Sequence, residues 1–297
     1  MLFDAHTHIN EKSLNDSERE NFIKSIEDAG MDGVVDVGYD LESSALAAKH
    51  ADMYDWCYAA VGCHPHDADT FDEMQLEMIR GLAFKKKVVA IGEIGLDFYR
   101  NLSDPANQEY WFRKQIQLAN ELKMPIVIHE RDAVQAVMDI LKEEGAFRDE
   151  RKSWFPMRKG PASEMTPDAR VMIHCFSASR EVAMQYIALG ATISVAGPVT
   201  YKNNRKTVEA VEAVPIEYLT VETDAPYLTP EPMRGKRNVP ANVRYTAQKV
   251  ADIKGMSLEE VAEITSRNAK VFFGFDDVYI SNAGVNSSIL DEKITIR

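Results

Sequence analysis

Histidines and carboxylates occur where five Val/Ile-rich runs of this chain end, at a spacing that suits metal ligands. His6 and His8 are two residues apart, and side chains two apart on a strand point to the same side. Imidazole nitrogens and carboxylate oxygens bind divalent metals that activate water for hydrolysis. The sequence therefore predicts a hydrolytic metal site built from six side chains: His6, His8, Glu93, His129, His174 and Asp224.

Six such ligands exceed what one tetrahedral ion uses, so we expect two divalent metal cations per chain. Glu93 would bridge them, since a carboxylate has two oxygens. Ions roughly 3.5–4 Å apart would polarise a phosphoryl or carbonyl oxygen and lower the pKa of a shared water. Mixed imidazole and carboxylate ligands suit Zn²⁺, Mn²⁺ or Ni²⁺, and Mg²⁺ could also support activity. The expected ligands are His6, His8, Glu93 and Asp224 for one ion, and Glu93, His129 and His174 for the other.

Each of these side chains also has an ordinary structural interpretation. A single histidine on an apolar strand is more often a core residue with satisfied hydrogen bonds, and Glu93 or Asp224 could cap a helix. What favours chemistry is the position that the residues share, because all six fall at the ends of predicted strands.

Short apolar runs alternate with amphipathic stretches about eight times, which predicts an α/β fold, a closed (β/α)8 TIM barrel. Further helices are expected at 238–255 and 257–274, and Thr70 with Glu73 is expected to cap the helix after strand 3. The six candidate ligands would then lie at the C-terminal ends of strands 1, 4, 5, 6 and 8, the face on which barrel enzymes carry their chemistry. The predicted strands are 2–9, 33–39, 57–64, 88–95, 125–130, 170–175, 191–196 and 218–224.

Two segments depart from the repeat. The segment at about 146–169 joins a helix to the following strand, so it should be an inserted loop at the opposite end of the barrel from the site. We expect residues 1–275 to form a single barrel domain and residues 276–297 a C-terminal extension.

Composition excludes several classes of protein. The start lacks the basic and apolar stretches of a signal peptide, and no apolar run approaches the roughly 20 residues of a membrane span, which predicts a cytoplasmic protein that does not insert into membranes. Three cysteines, Cys57, Cys63 and Cys175, are too few for a disulfide scaffold. A net charge of −13 argues against binding nucleic acid over the whole surface, although 234–237 could supply a local basic pocket.

An ordered series of motifs runs along nearly the whole predicted barrel. The motifs are DAHTHI at 4–9, VGCHPHD at 61–67, IGEIGLDFY at 91–99, IHERDA at 128–133, HCFSA at 174–178, ETDAPYLTP at 222–230 and RGKRN at 234–238. This series resembles the TatD family of metal-dependent deoxyribonucleases, within the amidohydrolase-like TIM barrels. This sequence departs from the family pattern at Ala178, where glycine is usual, and at Val239, where glutamate is frequent.

The resemblance implies hydrolysis of DNA phosphodiester bonds, with the six residues above as ligands and Asp224 as the general base. His64 and His66 would contact the phosphate or the leaving oxygen, or else lie in a loop stiffened by Pro65. Because the chain is acidic, single strands or duplex ends are the expected DNA substrate, with exonuclease-like trimming. The implied substrate-binding residues are His64, His66, Arg131, Arg234, Arg237 and Tyr227.

Alternatives remain at several levels. Arg131 could form an ion pair with Glu130 or Asp132 instead of binding phosphate, and Tyr227 could shape its loop instead of stacking on a base. The same metal centre could serve a small-molecule amidohydrolase, phosphoesterase or lactonase. Outside the enzymes, the chain could be an inactive binding protein that the metal stabilises.

Overall fold

The fold is a barrel of eight parallel strands with helices between them, seen in a computed structural model that describes residues 1–275. The predicted extension at 276–297 lies outside the described residues. The strands pair in the order β1-β2-β3-β4-β5-β8-β9-β10. Their bounds are β1 Phe3–Thr7, β2 Gly33–Val37, β3 Cys57–Val61, β4 Val88–Asp97, β5 Ile126–Arg131, β8 Val171–Ile173, β9 Thr192–Val195 and β10 Leu219–Val221.

Hydrogen bonds just beyond β10 and along β1 bring the two edges of the sheet together. The backbone N–H of Asp224 donates to the carbonyl of His6 (2.9 Å), and that of His8 donates to the carbonyl of Ala225 (2.8 Å). Asp4 adds a side-chain contact by accepting from the N–H of Thr223 (2.9 Å). The prediction of a (β/α)8 barrel is confirmed.

Helices cover the outside of the barrel, so most strand residues are buried on both faces, as parallel strands require. Phe272 and Phe273 of the last helix pack with Phe3, Val35 and Met172 in one apolar cluster. The helices are α1 Asp16–Asp28, α2 Leu41–Met53, α3 Glu73–Ala83, α4 Pro105–Leu122, α5 Val134–Glu143, α6 Asp149–Lys152, α7 Arg180–Ala188, α8 Arg205–Ala213, α9 Val243–Lys254 and α10 Leu258–Phe273.

Helix α3 begins later than predicted. Its N-cap is Asp72, whose side chain accepts from the N–H of Gln75 while the Gln75 side chain accepts from the N–H of Asp72. The predicted pair of Thr70 and Glu73 is therefore wrong. Thr70 instead donates its hydroxyl to the carbonyl of Asp67 (3.1 Å) in the preceding turn.

The segment between α5 and β8 contains the short helix α6 and an antiparallel hairpin, β6 Arg158–Lys159 with β7 Met165–Thr166. Arg158 donates to Thr192 at the start of β9 (2.6 Å), and Arg151 donates to the carbonyl of Met124 just before β5 (2.7 Å). The segment therefore lies against the amino ends of the strands, away from the face where the strands end. Within residues 1–275, the helices are all too short or too polar to cross a bilayer.

Candidate metal centre

Strand β1 brings two histidines to the carboxyl end of the barrel. His6 lies within the strand and His8 just beyond its end, and both are buried. Their Nε2 atoms are 3.2 Å apart, and the ring of His6 stacks on that of His174 with 3.9 Å between centroids. The alternation of β1 therefore directs both side chains into one site.

Glu93 of β4 lies between two groups of histidines. Its Oε1 is 2.7 Å from Nδ1 of His129 and 2.7 Å from Nε2 of His174. Its Oε2 is 3.4 Å from Nε2 of His6 and 3.8 Å from Nε2 of His8. Each oxygen of this one carboxylate thus faces a different pair of imidazoles.

Asp224 completes the group that includes His8. It follows β10, and its Oδ1 is 3.2 Å from Nε2 of His8 and 3.8 Å from Nε2 of His6. Its backbone has a φ of 53°, in the left-handed region, where the chain turns sharply after the strand. The structure therefore brings all six candidate ligands together at the carboxyl ends of the strands.

The site concentrates negative charge. Burial opposes a charged imidazole, yet the carboxylates of Asp224 and Glu93 raise the pKa of His8 to about 9. Burial also disfavours a charged ring at His174, but Glu93 and Glu222 outweigh it and raise the pKa of His174 well above its usual value. Burial alone would raise the pKa of Glu93. His174 and the neighbouring histidines outweigh it and hold the pKa of that carboxyl well below its usual range. A bound cation would balance this charge.

The donor set fits divalent metal ions. Imidazole nitrogens and carboxylate oxygens converge at short range, and Nδ1 of His6 is buried without a hydrogen-bond partner among the described residues. Three groups within residues 1–275 bring their ligand atoms within 4.8 Å of one another: His6 with His8 and Glu93, His64 with Glu93 and His129, and His6 with His174 and Glu222.

Two of the predicted substrate-binding residues adjoin the ligands. His64 is buried, with Nε2 3.6 Å from Oε1 of Glu93. His66 is more open, with Nε2 2.8 Å from Oδ2 of Asp97. Both histidines therefore line the same end of the barrel as the six candidate ligands.

The other predicted substrate-binding residues differ in their partners. Within residues 1–275, Arg131 forms no ion pair with Glu130 or Asp132, and Arg237 forms one with Glu18 (2.7 Å). Tyr227 donates its hydroxyl to Glu11 (2.7 Å) and packs edge-on against His8. Arg131 and Arg234 each lie over a tyrosine ring.

Comparison with known proteins assigns the family. The family model described as TatD related DNase matches residues 3–274. The chain belongs to the TatD family. The prediction of this family is confirmed, and with it that of a metal-dependent hydrolase.

Several TatD relatives are similar over most of their length. An uncharacterized metal-dependent hydrolase, YabD of Bacillus subtilis (strain 168), is 41% identical over 92% of this chain and 99% of the relative. A protein of Escherichia coli (strain K12) named 3'-5' ssDNA/RNA exonuclease TatD is 34% identical, over 86% of this chain and 93% of the relative. The crystal structure of the E. coli TatD homologue YjjV superposes with a TM-score of 0.78 at 25% identity, covering 92% of this chain and 98% of YjjV.

The sequence alone did not reveal two carboxylates that support the candidate ligands of this TatD protein. Oδ2 of Asp97 lies 3.3 Å from Nε2 of His129, and Oε1 of Glu222 lies 3.2 Å from Nδ1 of His174. A carboxylate on the far nitrogen of a histidine orients the ring and makes it a better ligand. The available signal was that Asp97 and Glu222 lie in the same motifs as Glu93 and Asp224.

A buried network behind β1 orients His8 of the TatD site. Nδ1 of His8 lies 2.7 Å from the carbonyl of Val37. Asn10 donates to that same carbonyl (2.8 Å) and to Asp36 (2.8 Å), and Asp36 lies 2.7 Å from Nδ1 of His50. When His8 is neutral, as a metal ligand must be, donation from Nδ1 to the carbonyl leaves the lone pair on Nε2, which faces the site.

Proposed function

We propose that this TatD-family protein hydrolyses phosphodiester bonds of DNA and trims nucleotides from single strands or duplex ends. The observation that carries the proposal is the position of Glu93, whose two oxygens face separate groups of histidines. This arrangement suits a pair of divalent ions, and paired ions are used to cleave phosphodiesters by in-line displacement.

The proposed ligands form two overlapping groups. When bound, divalent ions stabilise negative charge on the phosphate and make water a stronger acid. Glu93 belongs to both groups, because its Oε2 faces one and its Oε1 faces the other. The first group is His6, His8, Glu93 and Asp224, and the second is Glu93, His129 and His174.

Asp224 would accept the proton of the attacking water. Burial opposes its ionisation, but a hydrogen bond with His8 and the charges of His8 and His174 lower the pKa of this carboxyl. The side chain is therefore ionised at neutral pH and ready to accept a proton. Its position beside His8 and His6 supports this role, because a general base must first lie within reach of the water.

His64 and His66 would contact the phosphate or the leaving oxygen. His66 is held by Asp97, which fixes the ring at the edge of the site. Burial among other imidazoles lowers the pKa of His64 well below its usual value, so its ring is neutral. Arg131 and Arg234 would add positive charge for the substrate, as a protein with a net charge of −13 requires for binding a polyanion.

The nucleic-acid substrate is supported by the relatives. The E. coli relative at 34% identity is named as an exonuclease acting from 3' to 5' on single-stranded DNA and RNA. No lysine adjoins Glu93 on β4, where many small-molecule amidohydrolases carry a carboxylated lysine, and this absence favours the nuclease.

The test is hydrolysis of single-stranded oligonucleotides labelled at the 5′ or the 3′ end, with Mg²⁺, Mn²⁺, Zn²⁺ or Ni²⁺ added in turn. We expect metal-dependent shortening of DNA, and the ladder from each label identifies the direction. Matched RNA and duplex substrates measure the preference for single-stranded DNA. Absence of shortening with every metal, together with turnover of a small ester, lactone or amide, would reject the proposal in favour of a small-molecule hydrolase.

A further inference from the structure

Two arginines at the carboxyl end of the barrel each lie over a tyrosine ring. Cζ of Arg131 is 4.0 Å from the centroid of Tyr99, and Cζ of Arg234 is 4.1 Å from the centroid of Tyr201. Tyr99 is 63% exposed, so its ring and the guanidinium over it can be reached from solvent. We call these pairs the Tyr99 stack and the Tyr201 stack.

The two guanidinium groups have no hydrogen-bond or ion-pair partner among residues 1–275. Arg237, from the same loop as Arg234, differs because Glu18 neutralises it at 2.7 Å. A guanidinium that lies over an aromatic ring loses less entropy on binding, and its N–H edge stays free to donate to a phosphate. Each stack therefore positions a guanidinium group that has no hydrogen-bond or ion-pair partner among the described residues.

Each tyrosine is held by a hydrogen bond, Tyr201 through its ring hydroxyl and Tyr99 through its backbone. The hydroxyl of Tyr201 donates to the carbonyl of Thr229 (3.0 Å). The backbone N–H of Tyr99 donates to Oδ1 of Asp97 (3.0 Å), the carboxylate whose other oxygen lies against His129. The Tyr99 stack is thus tied directly to the candidate metal centre.

The stacks flank the end of β8, which leads into His174. Tyr99 and Arg131 follow β4 and end β5, on one side of β8, whereas Tyr201 and Arg234 follow β9 and β10, on its other side.

We infer that the two stacks are nucleotide subsites on either side of the scissile bond of a single-stranded substrate, an inference that rests on the proposed function. Each arginine donates to one backbone phosphate and offers its open face to a base, while its tyrosine supports it from behind. A single strand then passes over the end of β8, with the reacting phosphate beside His174. Tyr99 and Tyr201 are specificity-determining residues for nucleic acid.

The experiment measures binding of a hydrolysis-resistant phosphorothioate oligothymidylate of about ten nucleotides, a length within the range that single-strand sites cover, with Mg²⁺ present. Fluorescence anisotropy gives the Kd at several salt concentrations for wild type and for Arg131→Ala, Arg234→Ala, Tyr99→Ala and Tyr201→Ala. We expect each substitution to weaken binding about tenfold, the order of one lost base or phosphate contact.

Salt dependence separates the roles of the two residues in each stack. Each arginine substitution should reduce the slope of log K against log salt by about 0.7, the value for one phosphate contact on a single strand. Tyr201→Phe, which keeps the ring and loses the hydrogen bond to Thr229, should weaken binding less than Tyr201→Ala does.

The control is Tyr110→Ala, which removes a tyrosine paired with Lys114 on the outer helix α4 (5.4 Å from Nζ to the centroid). This variant should bind as wild type does. The inference is overturned if the two arginine variants keep the wild-type Kd and slope, or if Tyr110→Ala weakens binding as much as they do.

Hydrolysis of bis(p-nitrophenyl) phosphate, measured in parallel, separates this inference from the proposed function. A wild-type protein that cleaves this small diester but does not bind the oligonucleotide would contradict the subsites and leave phosphodiester hydrolysis standing. Arginine-dependent binding without cleavage of any phosphodiester would support the subsites and contradict the proposed function.

Discussion

Oδ2 of Asp97 lies 2.8 Å from Nε2 of His66. The same oxygen lies 3.3 Å from Nε2 of His129, whose other ring nitrogen faces Glu93. Asp97 is fully buried and belongs to β4, four residues after Glu93. One strand therefore supplies both the carboxylate at the middle of the site and the carboxylate that orients one of its histidines.

Asp97→Asn should reduce activity without unfolding the protein. The amide keeps the shape of the side chain but loses the negative charge that orients His129 and raises its basicity. We expect metal affinity or kcat/KM to fall about 10–100-fold, as for other carboxylates behind histidine ligands. Metal titration and hydrolysis rates measure the effect. Asp139→Asn, an exposed substitution on α5, is the control, and equal values for the two variants would contradict this role.

Glu222→Gln should affect the opposite side of the site. Glu222 is buried, faces Nδ1 of His174 and accepts from the N–H of Cys175 (2.8 Å) and from the hydroxyl of Ser194. Its neutral amide should misorient His174 and weaken metal affinity about 10–100-fold. Calorimetric titration with Mn²⁺ or Zn²⁺ measures the change. The exposed substitution Glu259→Gln on α10 should bind metal normally, and a Glu222→Gln protein that also does so would contradict the expectation.

Asp168→Asn should destabilise the fold from the end remote from the site. Asp168 is fully buried, 2.7 Å from Arg158 and 3.4 Å from Arg170. Breaking a buried ion pair leaves an uncompensated charge and typically costs about 3–5 kcal/mol of the free energy of unfolding. Urea denaturation measures this loss. Asp149→Asn, in the same segment but fully exposed, should leave the midpoint unchanged, and similar midpoints for both variants would exclude a stabilising pair.

Asp168 should also make the free energy of unfolding depend on pH. Burial raises the pKa of Asp168, but Arg158 and Arg170 outweigh it, so the pKa in the folded protein is lowered. The folded state therefore holds the carboxylate more strongly than the unfolded chain, whose Asp pKa is about 3.9. Its stabilisation should be complete above that pKa and decline as pH falls below it. The gap in unfolding free energy between wild type and Asp168→Asn should accordingly shrink between pH 6 and pH 3, and a constant gap would refute the linkage.

The barrel and the clustering of the six candidate ligands were predictable because their signals are local. Strands that are buried on both faces appear as continuous apolar runs, and a parallel barrel places polar residues for chemistry where those runs end. His6 and His8 needed only the alternation of β1 to point the same way. For Glu93, a motif at the end of an apolar run was sufficient.

The exact ends of the strands and the residues that support the candidate ligands were harder to predict from the sequence. The predicted strand 218–224 extends beyond the observed Leu219–Val221, because the chain turns at Asp224 to bring its carboxylate to His8. Conversely, β4 continues to Asp97, two residues further than predicted. The pairing of Asp97 with His66 joins residues 31 apart in sequence, and such a contact depends on how β4 packs against the loop after β3.

The proposed hydrolysis of nucleic acid requires that Glu93 and Asp224 hold metal. The most direct measurement compares metal content and shortening of an end-labelled single-stranded DNA for wild type, Glu93→Ala and Asp224→Ala, with circular dichroism to establish that each variant is folded. We predict metal-dependent shortening by wild type and its loss in both variants, with the greater loss of bound metal in Glu93→Ala, which removes a ligand of both groups. Undiminished shortening by folded Glu93→Ala would exclude this role of Glu93.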